Sequence, residues 1–272
     1  MKTSFHLKLV VAFSFLMLAE SLASTPAIDV FFLAGQSNAS GRATIASEAL
    51  PEVLYYYHTD GPAQRHSNSD SRFTELNALP NNYFGPEIGI GRELRRKNYT
   101  PAIIKISKGG TSLANDWNPQ KKGECWQTWT QEASKALQAL SAQGYQIRLR
   151  GFFWMQGESD ANIKGRAAKY KNNFQAFITS VTQFLTTEGY QTDQMHFVTA
   201  LIRSDRKEAK TIRAAQKETM DTMPNGDWFD TDDLTTIDGT HYDSESLQII
   251  GARFADTFIK LSEQVHIAAP HQ

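Results

Sequence analysis

Short runs of apolar residues alternate with longer stretches of helical periodicity along most of the chain. A short apolar run bounded by polar or turn residues is typical of a buried strand. Strands that alternate with helices predict an α/β fold, in which helices cover both faces of a mostly parallel sheet. The predicted strands are Ile28–Ala34, Val53–Tyr57, Ala102–Ser107, Leu149–Met155 and His196–Leu201, with Trp228–Phe229 as a short strand at a sheet edge.

Four segments are predicted to form helices. In two of them apolar residues recur at intervals of three and four, which places these residues on one face of a helix. A third is followed by Gly144, a residue suited to ending a helix. The four segments are Tyr170–Leu185, Leu247–Leu261, Gly85–Lys97 and Trp126–Gln143.

The polar stretch His58–Phe84 has neither periodicity and is rich in Asn, Ser and Pro. Irregular stretches of this length in compact domains are usually functional rims or disordered segments. We expect it to border a substrate site. Together with the region of Trp117 and with Arg203, it would then set the specificity of that site.

The N-terminal residues have the layout of a secretory signal peptide. Two lysines precede the apolar stretch Leu9–Ala19, and Ser21-Leu22-Ala23 offers small residues for cleavage. The apolar stretch is too short to cross a bilayer, although an N-terminal membrane anchor remains the alternative. We therefore expect residues 1–23 to be removed and residues 24–272 to form a single secreted or periplasmic domain, long enough to bury a sizeable core.

Charge and cysteine content exclude several classes of function. The net charge of −1 gives no reason to expect a nucleic-acid partner. Cys125 is the only cysteine, which rules out an intramolecular disulfide and a thiolate zinc site. No His/Cys cluster has metal-ligand spacing, and no glycine-rich phosphate motif is present. Cys125 itself is expected to be a packing residue, with a nucleophilic role as the weaker alternative.

Residues suited to catalysis follow three of the predicted strands and precede the last helix. These segments are Gly35–Asn38, Lys108–Ser112, Gln156–Asp160 and Asp238–His241. In a doubly wound sheet, the loops at the carboxyl ends of the strands converge on one crevice. The three segments that follow strands are therefore expected to be neighbours in the fold.

Together the four segments contain the parts that acyl transfer requires. A serine nucleophile needs a base, and the base needs an orienting carboxylate. Ser37 supplies the hydroxyl, and His241 with Asp238 supplies base and acid. The developing oxyanion needs fixed donors, each worth about 3 kcal/mol. The main-chain amides of Ser37 and Gly110 and the carboxamide of Gln156 are the candidates.

Each feature also has a purely structural explanation. A serine between a strand and a helix is often only a helix cap. The Asp-x-x-His spacing recurs at Asp193–His196. That histidine begins a predicted strand, however, and so belongs at the opposite edge of the sheet from Ser37. His58 and His66 remain alternatives for the base.

Taken together, the four segments resemble the SGNH (GDSL-like) hydrolase superfamily. Within it they resemble the branch of sialate O-acetylesterase-type proteins and carbohydrate esterase family 6 acetylxylan esterases. That branch carries Gly-Gln-Ser-Asn, Gly-Gly-Thr/Ser, Gln-Gly-Glu-x-Asp and Asp-x-x-His in the order found here. Gln156 replaces the asparagine of the wider superfamily, as it does throughout this branch. Gly-Gln-Ser-Asn-Ala also differs from the Gly-x-Ser-x-Gly elbow of the α/β-hydrolases.

The resemblance implies a role for each matching residue. Ser37 would be the nucleophile, His241 the base and Asp238 its orienting acid, with Glu158 as an assisting acid. The implied fold is a flavodoxin-like three-layer sandwich with a central, mostly parallel sheet of about five strands. The implied activity needs no metal or organic cofactor and removes acetyl groups from sugar hydroxyls.

The leading hypothesis is an exported serine esterase that deacetylates O-acetylated carbohydrates through an acyl-enzyme. The expected partner is the carbohydrate substrate, with no nucleic acid and no membrane once the signal peptide is cleaved. The candidate substrate-binding residues are Gln36, Asn38, Thr111 and Trp117.

Three alternatives stay open at this point. A non-catalytic carbohydrate-binding protein could use Trp117, Trp126 and Trp129 as stacking platforms. A broader lipase or thioesterase of the same superfamily would prefer longer acyl chains. Glu158 and Asp160 could form the carboxylate pair of a glycoside hydrolase, but that reading leaves the serine and histidine motifs without a role.

Overall fold

The structure, a computed structural model, describes residues 25–42, 49–60, 66–67, 72–77 and 83–268. The predicted signal peptide, residues 1–23, lies outside these ranges and stays a prediction. Within them, no helix is long and apolar enough to cross a membrane.

A single sheet forms the centre of the molecule. Its order is β3-β2-β5-β1-β6-β7-β8, and β4 also pairs with β2. The six strands β2, β5, β1, β6, β7 and β8 run parallel to one another. The two short strands β3 and β4 pair antiparallel with β2. The strands are β1 Ala27–Gly35, β2 Leu50–Asp60, β3 His66–Ser67, β4 Thr74–Leu76, β5 Pro101–Lys108, β6 Gln146–Met155, β7 His196–Ala200 and β8 Gly226–Phe229.

This topology confirms the predicted α/β class and its flavodoxin-like sheet. The strands β5-β1-β6-β7-β8 follow the flavodoxin order 2-1-3-4-5. The strand count differs because β2 adds a sixth parallel strand beyond β5. The expectation of an irregular segment over residues 58–84 was wrong in part, since β2 continues to Asp60 and Thr74–Leu76 pairs with it. This edge strand exposes Thr74 and Glu75 and therefore has no apolar run.

Helices cover the sheet on both faces, as the alternation of elements predicts. They are α1 Ser37–Ser40, α2 Glu87–Arg96, α3 Glu124–Ala142, α4 Lys164–Ala167, α5 Tyr170–Thr187, α6 Ala209–Asp221 and α7 Ser244–Ala268. The four predicted helices correspond to α2, α3, α5 and α7. Helix α6 was not predicted. Its buried face includes Gln216 and Thr219, so large apolar residues are too few to give a clear period.

The side chains of β1 alternate between two cores. Phe32 belongs to the core beneath α3, α5 and α6, and its ring lies edge-on to Trp129 at 5.6 Å. Phe31 belongs to the core beneath α2 and α7, and its ring lies edge-on to Phe258 at 5.0 Å. Both phenylalanines are fully buried, which stabilises the fold by about 2 to 3 kcal/mol each. Strand β1 is thus anchored from both sides.

The carboxyl end of β1 lies where the connections of the sheet diverge. Its neighbours β5 and β6 follow it in sequence on opposite sides, which is where doubly wound folds form a crevice. The turn here requires two glycines. Gly35 has φ +146°, and a Cβ atom on it would lie 2.0 Å from the carbonyl oxygen of Met155. Gly41 has φ +85°, and a Cβ atom on it would lie 2.0 Å from the carbonyl oxygen of Phe84. Close main-chain contacts therefore bound the turn on both sides.

Candidate active site

Ser37 is the first residue of α1 and follows β1 after one residue. Two main-chain hydrogen bonds hold this turn, from Gln36 N to Met155 O at 3.0 Å and from Gly41 N to Ser37 O at 2.9 Å. Ser37 is 6% exposed. A substrate therefore has to reach its hydroxyl from the crevice.

A buried ion pair supports α1 from below. Lys105 and Glu87 are both fully buried, with 2.9 Å between Nζ and Oε2. Lys105 Nζ also donates to the carbonyl oxygen of Ser40, the last residue of α1, at 2.6 Å. Burial lowers the pKa of Lys105, and the charge of Glu87 opposes this shift only in part. The ammonium group thus fixes the end of the short helix that begins with Ser37.

Sequence reasoning missed this ion pair, although a signal was present. Lys105 lies in the middle of the apolar strand Ala102–Ser107. A lysine is almost never fully buried without a partner. Lys105 in an apolar strand therefore indicates a buried acidic partner, but nothing in the sequence identifies Glu87 as that partner.

Ser37, His241 and Asp238 form a continuous chain of hydrogen bonds. The distance from His241 Nε2 to Ser37 Oγ is 2.9 Å, and that from His241 Nδ1 to Asp238 Oδ2 is 2.6 Å. The other carboxylate oxygen, Oδ1, accepts from the main-chain amides of His241 at 2.7 Å and Thr240 at 3.1 Å. This is the geometry in which a histidine, held by an acid, can take the proton of a serine.

The surroundings of Asp238 favour its ionised form. Partial burial alone would raise the pKa of Asp238. The hydrogen bonds from the ring and amide of His241 and from the amide of Thr240 outweigh that effect and lower it to about 2. The carboxylate is therefore a permanent acceptor for the ring.

Two main-chain amides next to Ser37 are free to bind an oxyanion. Among the described residues, neither the amide of Ser37 nor that of Gly110 has a hydrogen-bond acceptor. A Cβ on Gly109 would lie 3.7 Å from the Cβ of Ser37, so the loop after β5 passes directly beside the serine. Gly110 has φ +73° and open space around it. Its amide is thus accessible from the crevice.

Gln156 is close to these groups but has no proton left for an oxyanion. It is fully buried, and its Nε2 donates to Thr111 O at 2.9 Å and to Asp160 Oδ2 at 2.7 Å. The carboxylate of Asp160 also accepts from the amide of Leu113 at 2.8 Å. Because an amide nitrogen carries two hydrogens, both are occupied. In this arrangement Gln156 links β6 to the loop after β5, and its expected contact with the oxyanion stays a prediction.

Asn38 joins the serine turn to the loop that carries the histidine. Its Nδ2 donates to Glu158 Oε1 at 2.7 Å and to Thr240 O at 2.9 Å, and its Oδ1 accepts from Tyr242 N at 3.3 Å. Thr240 and Tyr242 are the two neighbours of His241 in sequence. Asn38 is 2% exposed and its carboxamide is fully used. Asn38 thus joins the turn of Ser37 to the loop of His241, and its expected substrate contact stays a prediction.

Glu158 acts on the base only through Asn38. In the described part of the chain, no hydrogen bond joins Glu158 to His241. Its Oε2 is enclosed and has no hydrogen-bond partner there. Burial raises the pKa of Glu158, and the hydrogen bond from Asn38 does not reverse this shift. Glu158 is joined to the loop of His241 through Asn38, and the assisting role implied by the resemblance stays a prediction.

Comparison with known proteins identifies the family. The model of the family described as "Carbohydrate esterase, sialic acid-specific acetylesterase" matches residues 27–260. The chain belongs to this family. The match covers all four motifs and confirms the resemblance found in the sequence. A comparison with curated proteins finds no significant match.

Solved structures show that the fold of this family member is shared. A protein from Arabidopsis thaliana is 17% identical, with a TM-score of 0.67 over 86% of this chain and 99% of its own. NanS is 15% identical, with a TM-score of 0.68 over 89% and 99%. A carbohydrate acetylesterase from Xanthomonas citri is 16% identical, with a TM-score of 0.57 over 87% of this chain and 57% of its own.

Two further candidate substrate contacts of this family member are core residues. Thr111 is 4% exposed; its hydroxyl donates to Lys108 O at 2.7 Å and accepts from Trp117 Nε1 at 2.9 Å. Trp117 is fully buried, and its ring lies edge-on to those of Trp154 and Phe177. Neither side chain is available to a sugar. Trp117 fills the core because Thr111 satisfies its indole nitrogen.

The other tryptophans proposed as stacking platforms are also unsuited to that task. Trp129 is fully buried. Trp126 is half-buried and stacks on Trp129, with ring centroids 5.6 Å apart. The tryptophan rings therefore give no support to a non-catalytic sugar-binding function.

Among the described side chains, no hydrogen bond joins His196 or His58 to Ser37. His196 begins β7 at the opposite edge of the sheet, and its Nδ1 lies 3.0 Å from the carbonyl oxygen of Gln194. His58 Nδ1 lies 3.9 Å from Glu132 Oε2 on α3. The side chain of His66 lies outside the described part of the structure.

Cys125 is a packing residue of the core. It is 3% exposed, and burial raises the pKa of its thiol to about 12. A protonated, enclosed thiol is a poor nucleophile. Among the residues that the structure describes, no group of three or more His, Cys, Asp or Glu side chains is arranged to hold a metal ion.

Arg203 lies on the loop after β7, at the same edge of the sheet as the catalytic candidates. The neighbouring Asp205 places its Oδ2 2.7 Å from where a Cβ on Gly239 would lie. This loop therefore packs against the turn that carries the base. A role for Arg203 in specificity stays a prediction.

Proposed function

We propose that this protein is an exported serine esterase that removes O-acetyl groups from carbohydrates through an acyl-enzyme. Membership of the family supports acetyl ester hydrolysis on carbohydrates. The observation that carries the serine mechanism is the chain of hydrogen bonds from Asp238 through His241 to Ser37.

In the first half of the reaction, Ser37 Oγ attacks the acetyl carbonyl carbon. The Oγ–C bond forms as the hydroxyl proton moves to His241 Nε2, and the carbonyl oxygen becomes an oxyanion. The amides of Ser37 and Gly110 donate to that oxyanion. Its collapse breaks the bond between the carbonyl carbon and the sugar oxygen, which takes the proton from His241 and leaves as a free hydroxyl.

In the second half, water replaces the sugar. His241 takes a proton from the water, whose oxygen attacks the acetyl carbon and forms a second oxyanion. Collapse breaks the Oγ–C bond, and His241 returns the proton to Ser37 Oγ. Acetic acid leaves and ionises in solution. Asp238 stays ionised throughout and stabilises the ring when it is charged.

The surface near the site favours a short acyl group and a polar leaving group. Across the described ranges, the large apolar side chains that remain exposed are Ile163 and Ile237. These two residues give little surface for a long acyl chain. A small cavity at the carboxyl end of β5 is lined by the polar side chains of His58, Lys108 and Glu124, among others, and by Ile106, Trp117 and Cys125.

The test is acetate release from a panel of O-acetylated carbohydrates that includes sialic acid and xylan oligosaccharides. Ser37→Ala should abolish release and leave the thermal unfolding curve unchanged. Ser204→Ala, on a neighbouring loop, is the control and should retain full activity. An alkyl fluorophosphonate should lose fluoride and add the mass of its phosphonyl group to the wild type and to Ser204→Ala but not to Ser37→Ala.

Three results would contradict the proposal. Acetate release by Ser37→Ala would show that Ser37 is not the nucleophile. Preference for octanoyl over acetyl esters would favour a lipase or thioesterase. Binding of acetylated glycans by the wild type without any acetate release would favour the non-catalytic alternative. Export is tested separately, since the secreted or periplasmic protein should begin at residue 24.

A further inference from the structure

We propose that Gln36 supplies the side-chain donor of the oxyanion hole, in place of Gln156. This inference rests on the proposed function, because it concerns the same oxyanion. Two main-chain amides, those of Ser37 and Gly110, are free at the site. The question is which side-chain amide completes the set.

Gln156 cannot take this role in the observed arrangement. Both hydrogens of its Nε2 are directed to protein acceptors, Thr111 O and Asp160 Oδ2, at 2.9 and 2.7 Å. The Tyr170 hydroxyl lies 3.2 Å from its Oε1 but is closer to the main-chain oxygen of Gln156, at 2.8 Å. Rotating the amide by 180° would bring Oε1 against two other oxygens. Gln156 is therefore locked into the protein's own hydrogen bonds.

Gln36 has the opposite arrangement. Its Oε1 accepts from the main-chain amides of Gly157 at 3.4 Å and Ser159 at 3.3 Å. Gln156 Nε2, whose two hydrogens go to nearer acceptors, lies 3.2 Å from the same oxygen. These contacts determine which end of the carboxamide is the oxygen. The Nε2 end consequently points away from the loop after β6.

The Nε2 group of Gln36 is also open to the crevice. It donates to no acceptor among the described residues, and it is not one of the enclosed side-chain atoms that lack a partner. Gln36 as a whole is only 3% exposed, so this amide accounts for part of that small exposure. A buried residue has here an oriented amide with two unused hydrogens, one position before the nucleophile.

The chemical consequence concerns charge and not proton transfer. As Ser37 Oγ bonds to the acetyl carbon, the carbonyl oxygen gains a negative charge. The Nε2–H of Gln36 donates to that oxygen and keeps its proton. Removal of one such donor typically lowers kcat by about 10² to 10³-fold. Because the donor acts mainly on the transition state, KM should change little.

The test is the pH profile of Gln36→Glu. This variant keeps an oxygen for the amides of Gly157 and Ser159 but replaces the donor. The introduced carboxyl can donate only when it is protonated. We expect kcat to be reduced by about 10² to 10³-fold at alkaline pH and to recover in part as the pH falls. The wild type, measured over the same range, should not show this recovery.

Gln36→Met is the second variant, since it is close in shape, neutral and unable to donate. It should show a comparable loss of kcat at every pH, with KM near the wild-type value. Thermal unfolding of both variants shows whether they fold. If Gln36→Glu does not fold, the kcat and KM of Gln36→Met decide alone.

Two outcomes would overturn the inference. One is a folded variant with wild-type kcat. The other is a loss in Gln36→Glu that is the same at all pH values, which would indicate that Oε1 matters for structure and Nε2 does not matter for catalysis. If the wild type releases no acetate, or if Ser37→Ala remains active, the proposed function itself fails. If the wild type is active and the Gln36 variants have its kcat, only the role of Gln36 as an oxyanion donor is lost.

Discussion

The substitution Asp238→Asn tests which of the two acids near the base is the one that orients it. Asp238 Oδ1 accepts from the amides of His241 and Thr240. The new side chain must keep its oxygen toward these two donors, because turning its NH₂ group toward them would set donor against donor. Its NH₂ group then faces His241 Nδ1, the atom now 2.6 Å from a carboxylate oxygen.

That reversal changes the tautomer of the ring. Nδ1 has to accept a hydrogen bond from the new NH₂ group, so the ring proton moves to Nε2. A protonated Nε2 cannot accept the hydroxyl proton of Ser37. In a serine–histidine–aspartate triad the equivalent change lowers kcat by about 10⁴-fold. This corresponds to about 5.5 kcal/mol of activation free energy, and we expect a loss of that order here.

Glu158→Gln is the matched comparison. Glu158 Oε1 accepts from Asn38 at 2.7 Å, and a glutamine oxygen can accept the same hydrogen bond. The contacts of Asn38 with the loop of His241 should therefore persist, and kcat should stay close to the wild-type value. Asp193→Asn is the control, because Asp193 has the same Asp-x-x-His spacing but is exposed at the other edge of the sheet.

The assay is steady-state hydrolysis of p-nitrophenyl acetate, with thermal unfolding of each variant as a check on folding. The reasoning is refuted if Asp238→Asn keeps more than about one tenth of the wild-type kcat, since tautomer reversal alone predicts a far larger loss. It is also refuted if Glu158→Gln loses as much activity as Asp238→Asn. In that case the buried acid would be the one that supports the base.

Three further predictions concern buried groups. The pKa of Glu158 is raised in the folded protein, so the free energy of unfolding of the wild type falls as the pH rises above the ordinary glutamate range. Denaturant titrations should show that Glu158→Gln is increasingly more stable than the wild type as the pH rises, and that it has no such advantage at lower pH. Lys105→Met leaves Glu87 buried without its partner and should cost about 3 to 5 kcal/mol of unfolding free energy in urea; adding Glu87→Gln should restore part of it, and an unchanged midpoint for Lys105→Met would contradict the role of the pair. Cys125, whose thiol pKa is raised to about 12, should react with iodoacetamide only after unfolding, and rapid labelling of the native protein would show that it is accessible.

The main elements of the fold and the place of the site were predictable from the sequence. Buried parallel strands have unbroken apolar runs, and the carboxyl ends of such strands meet at one edge. Ser37 and the loop at Gly110 follow two such strands, so the sequence alone predicts that they lie close together. His196 could be set aside for the same reason, because it begins a strand.

The roles of the polar side chains were not predictable in this way. Gln36 and Gln156 carry the same functional group, and only the hydrogen bonds around each one show which amide is free. Asn38 was expected to contact the substrate, yet its three hydrogen bonds are all with the protein. A carboxamide has two donors and one acceptor group to satisfy, and distant parts of the chain decide how they are used.

Trp117 shows the same limit for an aromatic residue. Its position after the Gly-Gly segment suggested a surface platform. The partner that allows its burial, Thr111, is six residues away, and the rings that surround it come from β6 and α5. Periodicity does not report such contacts within an irregular loop.

The link through Asn38 has a consequence for how activity depends on temperature. Ser37 begins the buried helix that directly follows β1, whereas His241 lies on a turn whose Asp238 side chain is 47% exposed. Proteins open locally at a lower free energy than they unfold globally, and exposed loops are among the first segments to open. Release of this turn would separate base from nucleophile while both hydrophobic cores stayed intact. The working temperature limit would then be a property of one loop and lie below the melting temperature of the fold, and hydrogen exchange should report earlier loss of protection at Tyr242 than in β1.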